Sequence, residues 1–278
     1  MPGIEKSAIS KTDGKPLEYK LSPLTSMMQG KPSIEIITTA DGSNSLFRKD
    51  LGEHYHSTFG AIQESEHIFI AAGLNHALTR YSELNILEIG FGTGLNAWLT
   101  LQHTPKNCLV KYHGVEAFPP DFELISQLNY ADETKEKKHL FLSLHTAPWE
   151  KLVPITSNFS LHKIHSRAEN MEFPSDFFHL VYFDAFAPQY EPCLWTAEIF
   201  KALFNTLQQG GLLVTYCCKG EVKRKLKDAG FSICKLPGPK GKREFLRAEK
   251  PLFPSHDAQI TNPEREEIQE KTVKYPAK

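Results

Sequence analysis

Three carboxylates stand at the ends of apolar runs: Glu88 in Asn85-Ile86-Leu87-Glu88-Ile89, Glu116 closing residues 110–116, and Asp184 closing Leu180-Val181-Tyr182-Phe183-Asp184. An acid that ends a buried strand lies at the carboxyl edge of its sheet, where open α/β folds bind ligands. Between the first two comes the turn Gly90-Phe91-Gly92-Thr93-Gly94, which runs into a helical pattern at Leu95-Asn96-Ala97-Trp98-Leu99. Glycines at every second position let the backbone take positive φ and pass close beneath a ligand. A strand ending in such a turn and opening a helix begins a doubly wound nucleotide-binding sheet.

The glycine spacing discriminates between ligands. A dinucleotide fingerprint reads GxGxxG and brings a pyrophosphate onto the helix N-terminus. Here the third glycine falls one residue early, and Leu95 holds the dinucleotide position. S-adenosylmethionine has no phosphate, so its turn need only admit an amino-acid end and a ribose edge. Gly90, Gly92 and Gly94 are therefore candidate cofactor residues. Glu88 is placed to steer the turn's amides and, through water, the cofactor's ammonium. Glu116, 22 residues past Gly94, is placed to accept both ribose hydroxyls. An adenine should lie at Ser166-Arg167-Ala168-Glu169, after the third strand.

Asp184 continues into Ala185-Phe186-Ala187-Pro188, with Trp195 following. An amine that accepts a methyl group must present a neutral lone pair. A carboxylate can orient its N–H bonds and receive the departing proton, while aromatic faces stack on a planar base and tolerate a sulfonium. Asp184 is the catalytic candidate and a cofactor neighbour. Phe186, Pro188 and Trp195 are the expected walls of the acceptor site.

The elements that position these groups read in order. Residues 1–32 are polar and form a loose arm. Residues 33–80 hold a hairpin around Asp41-Gly42-Ser43-Asn44-Ser45 and a helix over 64–78, an extension lying over the active site. Residues 81–250 alternate strand and helix, and 251–278 are a polar tail. Residues 132–139 read as a charged, solvated stretch, an exposed helix or loop. A helix over 196–207 should be ended by Gln208-Gln209-Gly210-Gly211 before a buried strand over 212–217. The last two strands, 231–236 and 244–248, are joined by a turn without a helix and must pair antiparallel. The expected fold is α/β: a Rossmann-like S-adenosylmethionine-dependent methyltransferase sheet, mostly parallel and closed by an antiparallel C-terminal hairpin.

Composition narrows the partners. With 40% hydrophobic and 23% charged residues and a net charge of −1, nothing global advertises nucleic acid. Residues 219–250, however, hold 11 Lys/Arg against 4 acids, a segregation suited to a polyanion. The five cysteines show no CxxC pair and no Cys/His cluster, so they read as buried reduced thiols with no metal site. No run approaches the roughly 18 apolar residues of a membrane span, so a cytoplasmic location without membrane attachment is expected.

In combination, Glu88-Ile-Gly-Phe-Gly-Thr-Gly-Leu-Asn96, Asp184-Ala-Phe-Ala-Pro188 and Gly238-Pro-Lys-Gly-Lys-Arg-Glu244 resemble the methyltransferase half of the MnmC family of tRNA-modifying proteins. Tyr55-His-Ser57 and Gln63-Glu-Ser65 fall where that family has matching pieces, and the similarity covers residues 33–250. The resemblance implies methylation of the 5-aminomethyl group of the tRNA wobble uridine, often 2-thiolated, with S-adenosylmethionine as donor. It implies that Lys240, Lys242 and Arg243 help hold the anticodon arm. The chain ends before a flavin oxidoreductase domain could begin, so the likeness is to the stand-alone MnmD type, coupled to a separate enzyme that makes the amine. Where the family usually has Gly-Asp, this chain has Ser166-Arg167, which passes the adenine contact to the Ala168 backbone or Glu169. The residues alone leave the acceptor open: a small-molecule or protein amine would meet the same carboxylate.

Overall fold

The computed structural model describes residues 20–21 and 33–252; apart from residues 20–21 and 251–252, the expected arm and tail lie outside the described residues. A short strand β1 (Lys20–Leu21) precedes a three-stranded antiparallel sheet of β2 (Ile34–Thr38), β3 (Asn44–Arg48) and β4 (Glu53–His54). Helix α1 spans 61–78, and its middle, Glu66–Leu74, widens to π-helical hydrogen bonding. Gly73 lets this helix lie directly on the sheet, since a Cβ there would come within 3.0 Å of the Tyr182 ring and 3.1 Å of Val214.

Alternation then sets in with β5 (Glu83–Ile89), α2 (Leu95–His103), β6 (Leu109–Glu116), α3 (Phe122–Ser126) and α4 (Lys135–Thr146). Next come β7 (Leu152–Pro154), β8 (Phe159–His165), β9 (Met171–Glu172) and β10 (Phe178–Phe183). The chain continues through α5 (Ala197–Thr206), β11 (Leu207–Thr215), α6 (Gly220–Ala229), β12 (Ser232–Pro237) and β13 (Glu244–Glu249).

Eight strands form the central sheet in the order β12-β13-β11-β10-β5-β6-β8-β7. The inner strands are parallel, and β13 inserts antiparallel between β11 and β12. This is the expected Rossmann-like methyltransferase sheet with its closing hairpin. Strands buried on both faces need apolar residues throughout, and β10 is buried at all six positions. Alternate residues feed two cores. Ile86, Tyr112, Leu180 and Tyr182 pack on the side of α1, α2 and α4. Leu87, Val115, Val181 and Phe183 pack on the side of α5 and α6. From β5 the chain builds outward through β6 and β8, then returns to lay β10 on the other flank of β5. The strand order thus reverses at β5/β10, the point where such sheets bind ligands.

Two expectations are corrected, the stop at residues 208–211 and the burial of all the cysteines. The charged stretch 132–139 is solvated as expected and contains the exposed start of α4: Thr134 caps it by accepting the Lys137 amide at 3.1 Å, and the helix buries Phe141 and Leu144 further on. Gln208-Gln209-Gly210-Gly211 does not separate helix from strand, because β11 already begins at Leu207, with an irregular register opposite Phe178–Leu180. The edge strand β7 carries little signal in the sequence, being three residues long and half exposed. Of the cysteines, Cys108 and Cys217 are buried, but Cys193 and Cys234 are exposed. Among the described residues no helix is long and apolar enough to cross a membrane.

Candidate active site

A cavity of about 490 Å³ opens where the strand order reverses. Its floor is the glycine turn. Gly90 sits at φ 90, and a Cβ there would stand 2.6 Å from the Asp184 carbonyl oxygen, so only glycine lets β5 and β10 close up. Gly94, at φ 70, opens α2. Glu116 is held by two amides: Gly92 donates to Oε2 and Phe118 to Oε1, each at 2.8 Å. Burial pushes this carboxyl up, and the amides of Phe118 and Gly92 pull it back. One lone pair on each oxygen remains for a vicinal diol.

Asp184 lines the opposite wall. Asn96 Nδ2 donates to Asp184 Oδ2 at 2.8 Å and to Glu88 Oε1 at 2.9 Å, so one amide at the start of α2 ties two carboxylates together. Burial pushes Asp184 up to about 7, Glu64 adds to the rise, and Asn96 and Lys242 oppose it. Glu64, on α1, accepts the Ser57 amide at 2.8 Å and pairs with Lys242, whose ammonium lies 4.2 Å from the centre of the Tyr216 ring. Glu191 is a further half-buried carboxyl, pushed up to about 7 by desolvation in its surroundings and by Glu116, and it accepts the Phe186 amide at 3.0 Å. Tyr55 packs edge-on against Phe186, with ring centres 5.0 Å apart. The extension at 33–80 therefore supplies one side of the cavity.

Gly90, Gly92, Glu116, Ser166–Glu169, Asp184, Phe186 and Lys242 meet in this cavity, whereas six expected residues, Gly94 at the start of α2 among them, stand off its wall. Trp195 is 1% exposed and packs on Phe183; its buried indole N–H needs an acceptor and finds the Phe186 carbonyl at 2.8 Å. It braces the acidic loop from behind, and Pro188 also lies off the wall. Lys240 and Arg243 are exposed on the β12–β13 loop. Glu88 lies beneath the cavity, bonded to Asn96; no turn amide donates to it among the described residues. Lys242 faces inward to Glu64, because the loop that carries it folds back over α1. Arg167 pairs with Glu169 at 3.2 Å and lies 4.9 Å from the Phe118 ring centre, beside Ala168.

Asn96, Tyr55, Glu64, Glu191 and Tyr216 also line the cavity, beyond the residues that the sequence points to. The only signals for them were the motif pieces Tyr55-His-Ser57 and Gln63-Glu-Ser65 and the Asn96 that ends the glycine motif.

The chemistry present fits S-adenosylmethionine. Glu116 presents the acceptor pair that a ribose diol needs, and the turn carries no crowding Cβ. Asn96 Oδ1 is buried without a partner at the wall, an acceptor suited to the cofactor's ammonium. A cavity of this size is ordinary for a ligand of that class.

Known proteins agree. Residues 156–251 match the family model for S-adenosyl-L-methionine-dependent methyltransferases. The tRNA 5-methylaminomethyl-2-thiouridine biosynthesis bifunctional protein MnmC of Burkholderia multivorans is 29% identical over 219 residues, covering 71% of this chain and 32% of that protein. Its counterpart in Ralstonia nicotianae is 30% identical over 218 residues, with 73% and 32% covered. The chain thus spans about a third of the length of the curated relatives it matches. The crystal structure of MNMC2 from Aquifex aeolicus superposes with a TM-score of 0.65 at 26% identity, over 82% of this chain and 74% of that one. Sheet order, cavity and relatives converge: this chain carries an MnmC-like, S-adenosylmethionine-dependent methyltransferase domain.

Proposed function

We propose that the protein methylates the 5-aminomethyl group of (2-thio)uridine at the tRNA wobble position, giving 5-methylaminomethyl-(2-thio)uridine. Asp184 carries this reading: it is a half-buried carboxyl pushed up to about 7, two residues before Phe186, in the cavity that Glu116 also lines. The bound cofactor supplies an electrophilic methyl on a sulfonium. The chain must then hold a neutral amine in line and take its proton. Asn96 occupies Asp184 Oδ2, which leaves Oδ1 for an amine N–H. A carboxylate near pH 7 in affinity accepts a proton from an alkylammonium far better than one at its ordinary 3.8. Tyr55 and Phe186 flank the planar base, and Glu191 fixes the Phe186 backbone.

In this reading residues 81–250 are the catalytic domain and 33–80 the substrate-shaping extension. Lys223, Arg224, Lys227, Lys240 and Arg243, which have no ion-pair partner among the described residues, face the anticodon arm. The protein works in the cytoplasm on tRNA that already carries the 5-aminomethyl group. The relatives named for this biosynthesis support the choice of acceptor. Mass spectrometry of wobble nucleosides from cells lacking the protein tests it: 5-aminomethyl-uridine should accumulate, and unchanged methylation would refute the reading.

A further inference from the structure

Five large apolar side chains are exposed among the described residues, and of these only Phe59, 46% exposed, lines the main cavity. A single exposed apolar side chain is ordinary on a surface. Phe59 is not ordinary in how it is held. Its amide donates to Ser57 Oγ at 3.2 Å, and the Ser57 amide in turn is anchored on Glu64. Gly241 passes directly behind the ring: a Cβ there would fall 2.2 Å from Phe59 Cδ2, and its φ of 88 also favours glycine. The next residue, Lys242, ties this backing loop to Glu64. The ring is thus supported from the protein side at the rim of the cavity, and no other aromatic ring packs on it among the described residues. The loop behind it carries exposed Lys240 and Arg243.

We infer that Phe59 is a stacking platform for a nucleobase adjacent to the one that enters the cavity, with Lys240 and Arg243 taking the neighbouring phosphates. The inference rests on the reading of an RNA acceptor. A flat, backed aromatic face beside unpaired cations is what a single-stranded nucleic acid segment recognises: bases stack on the ring and the backbone follows the charge. It also explains why the rim carries an aromatic that the folded chain itself leaves half in water. A wobble base taken into a cavity unstacks from its neighbour, and a ring at the mouth can replace the lost stack.

The test uses an anticodon stem-loop with 2-aminopurine placed on either side of the wobble uridine. With the wild-type protein, fluorescence at one of these positions should be quenched on binding. Phe59→Ala should abolish the quench and raise Kd and KM about tenfold with little change in kcat, the size expected for one lost base stack. Phe59→Trp should restore the quench, while Phe59→Leu, which keeps apolar bulk without a π-face, should not. Equal quenching in Phe59→Ala, rescue by Leu as complete as by Trp, or a competing apolar peptide that binds where RNA does not would each overturn the platform. So would an equal loss of kcat/KM on the stem-loop and on free 5-aminomethyl-uridine, which would leave Phe59 only a cavity-shaping role. Phe59-dependent quenching without methyl transfer to any RNA would keep the platform and reject the proposed acceptor.

Discussion

Replacing Asp184 by Asn should make the protein more stable and less active, both effects depending on pH. The carboxyl moves from its ordinary 3.8 in the unfolded chain to about 7 in the fold. At roughly 1.4 kcal/mol per pH unit that difference sets a ceiling of about 4 kcal/mol. Because the side chain also faces the open cavity, solvent screening brings the expected value to ~1–2 kcal/mol. The sign follows from the raised folded-state value: the neutral carboxyl's contribution is fully present below 3.8, drains away as pH rises, and is lost above about 7. Asn cannot ionise, and its carbonyl can still accept the Asn96 hydrogen bond.

Urea unfolding of both proteins at several pH values between about 4 and 8 should therefore show a stability difference that grows with pH. Glu191, also raised to about 7, destabilises both proteins alike and cancels in the difference. In parallel, kcat should fall by a factor of roughly 10²–10⁴, the usual worth of a positioned acid or base. A pH-independent stability difference would show that Asp184 is not raised by burial. A variant retaining kcat within about tenfold would show that Asp184 is not the proton acceptor.

Wild-type kcat should itself rise between pH 6 and 8, since Asp184, at about 7, must be ionised to take a proton; a profile flat across that range would reject this assignment. Lys242→Met removes a cation that lowers Asp184, so the acid limb of the rate profile should move to higher pH, and Lys242→Arg should largely restore it. Glu116→Gln should weaken S-adenosylmethionine binding by about 10–100-fold with little effect on kcat, measured by calorimetry, because a charge-assisted diol contact is lost. Gly90→Ala meets both a positive φ and the Asp184 carbonyl 2.6 Å from the new Cβ, and thermal unfolding should show a loss of at least ~1–3 kcal/mol.

The central sheet was legible because strands buried on both faces cannot hide their composition, and the turn because positive φ selects glycine. The site was legible only where one strand end supplies one acid. What tunes that acid comes from elsewhere: Asn96 lies 88 residues before Asp184, Glu64 sits on another helix, and Lys242 follows β12. Spacing along the chain carries no trace of such a meeting. The same limit explains Trp195, since a buried brace and a cavity wall are written with the same aromatic letter until packing separates them. It also explains the basic segment at 219–250, whose charge suggested one polyanion surface. Lys250 is instead buried and pairs with the exposed Asp176, Lys235 pairs with Glu244, and Lys242 with Glu64. Arg247 pairs with Glu249, and Lys219 and Lys225 are hydrogen-bonded to Gln189 and the Trp195 carbonyl, so the salt dependence of tRNA binding should reflect about five contacts rather than eleven. Of those five, Lys240 and Arg243 lie on the loop whose Gly241 backs the Phe59 ring, so replacing both should lower the salt slope by about 1.5 while leaving methyl transfer to a free nucleoside intact.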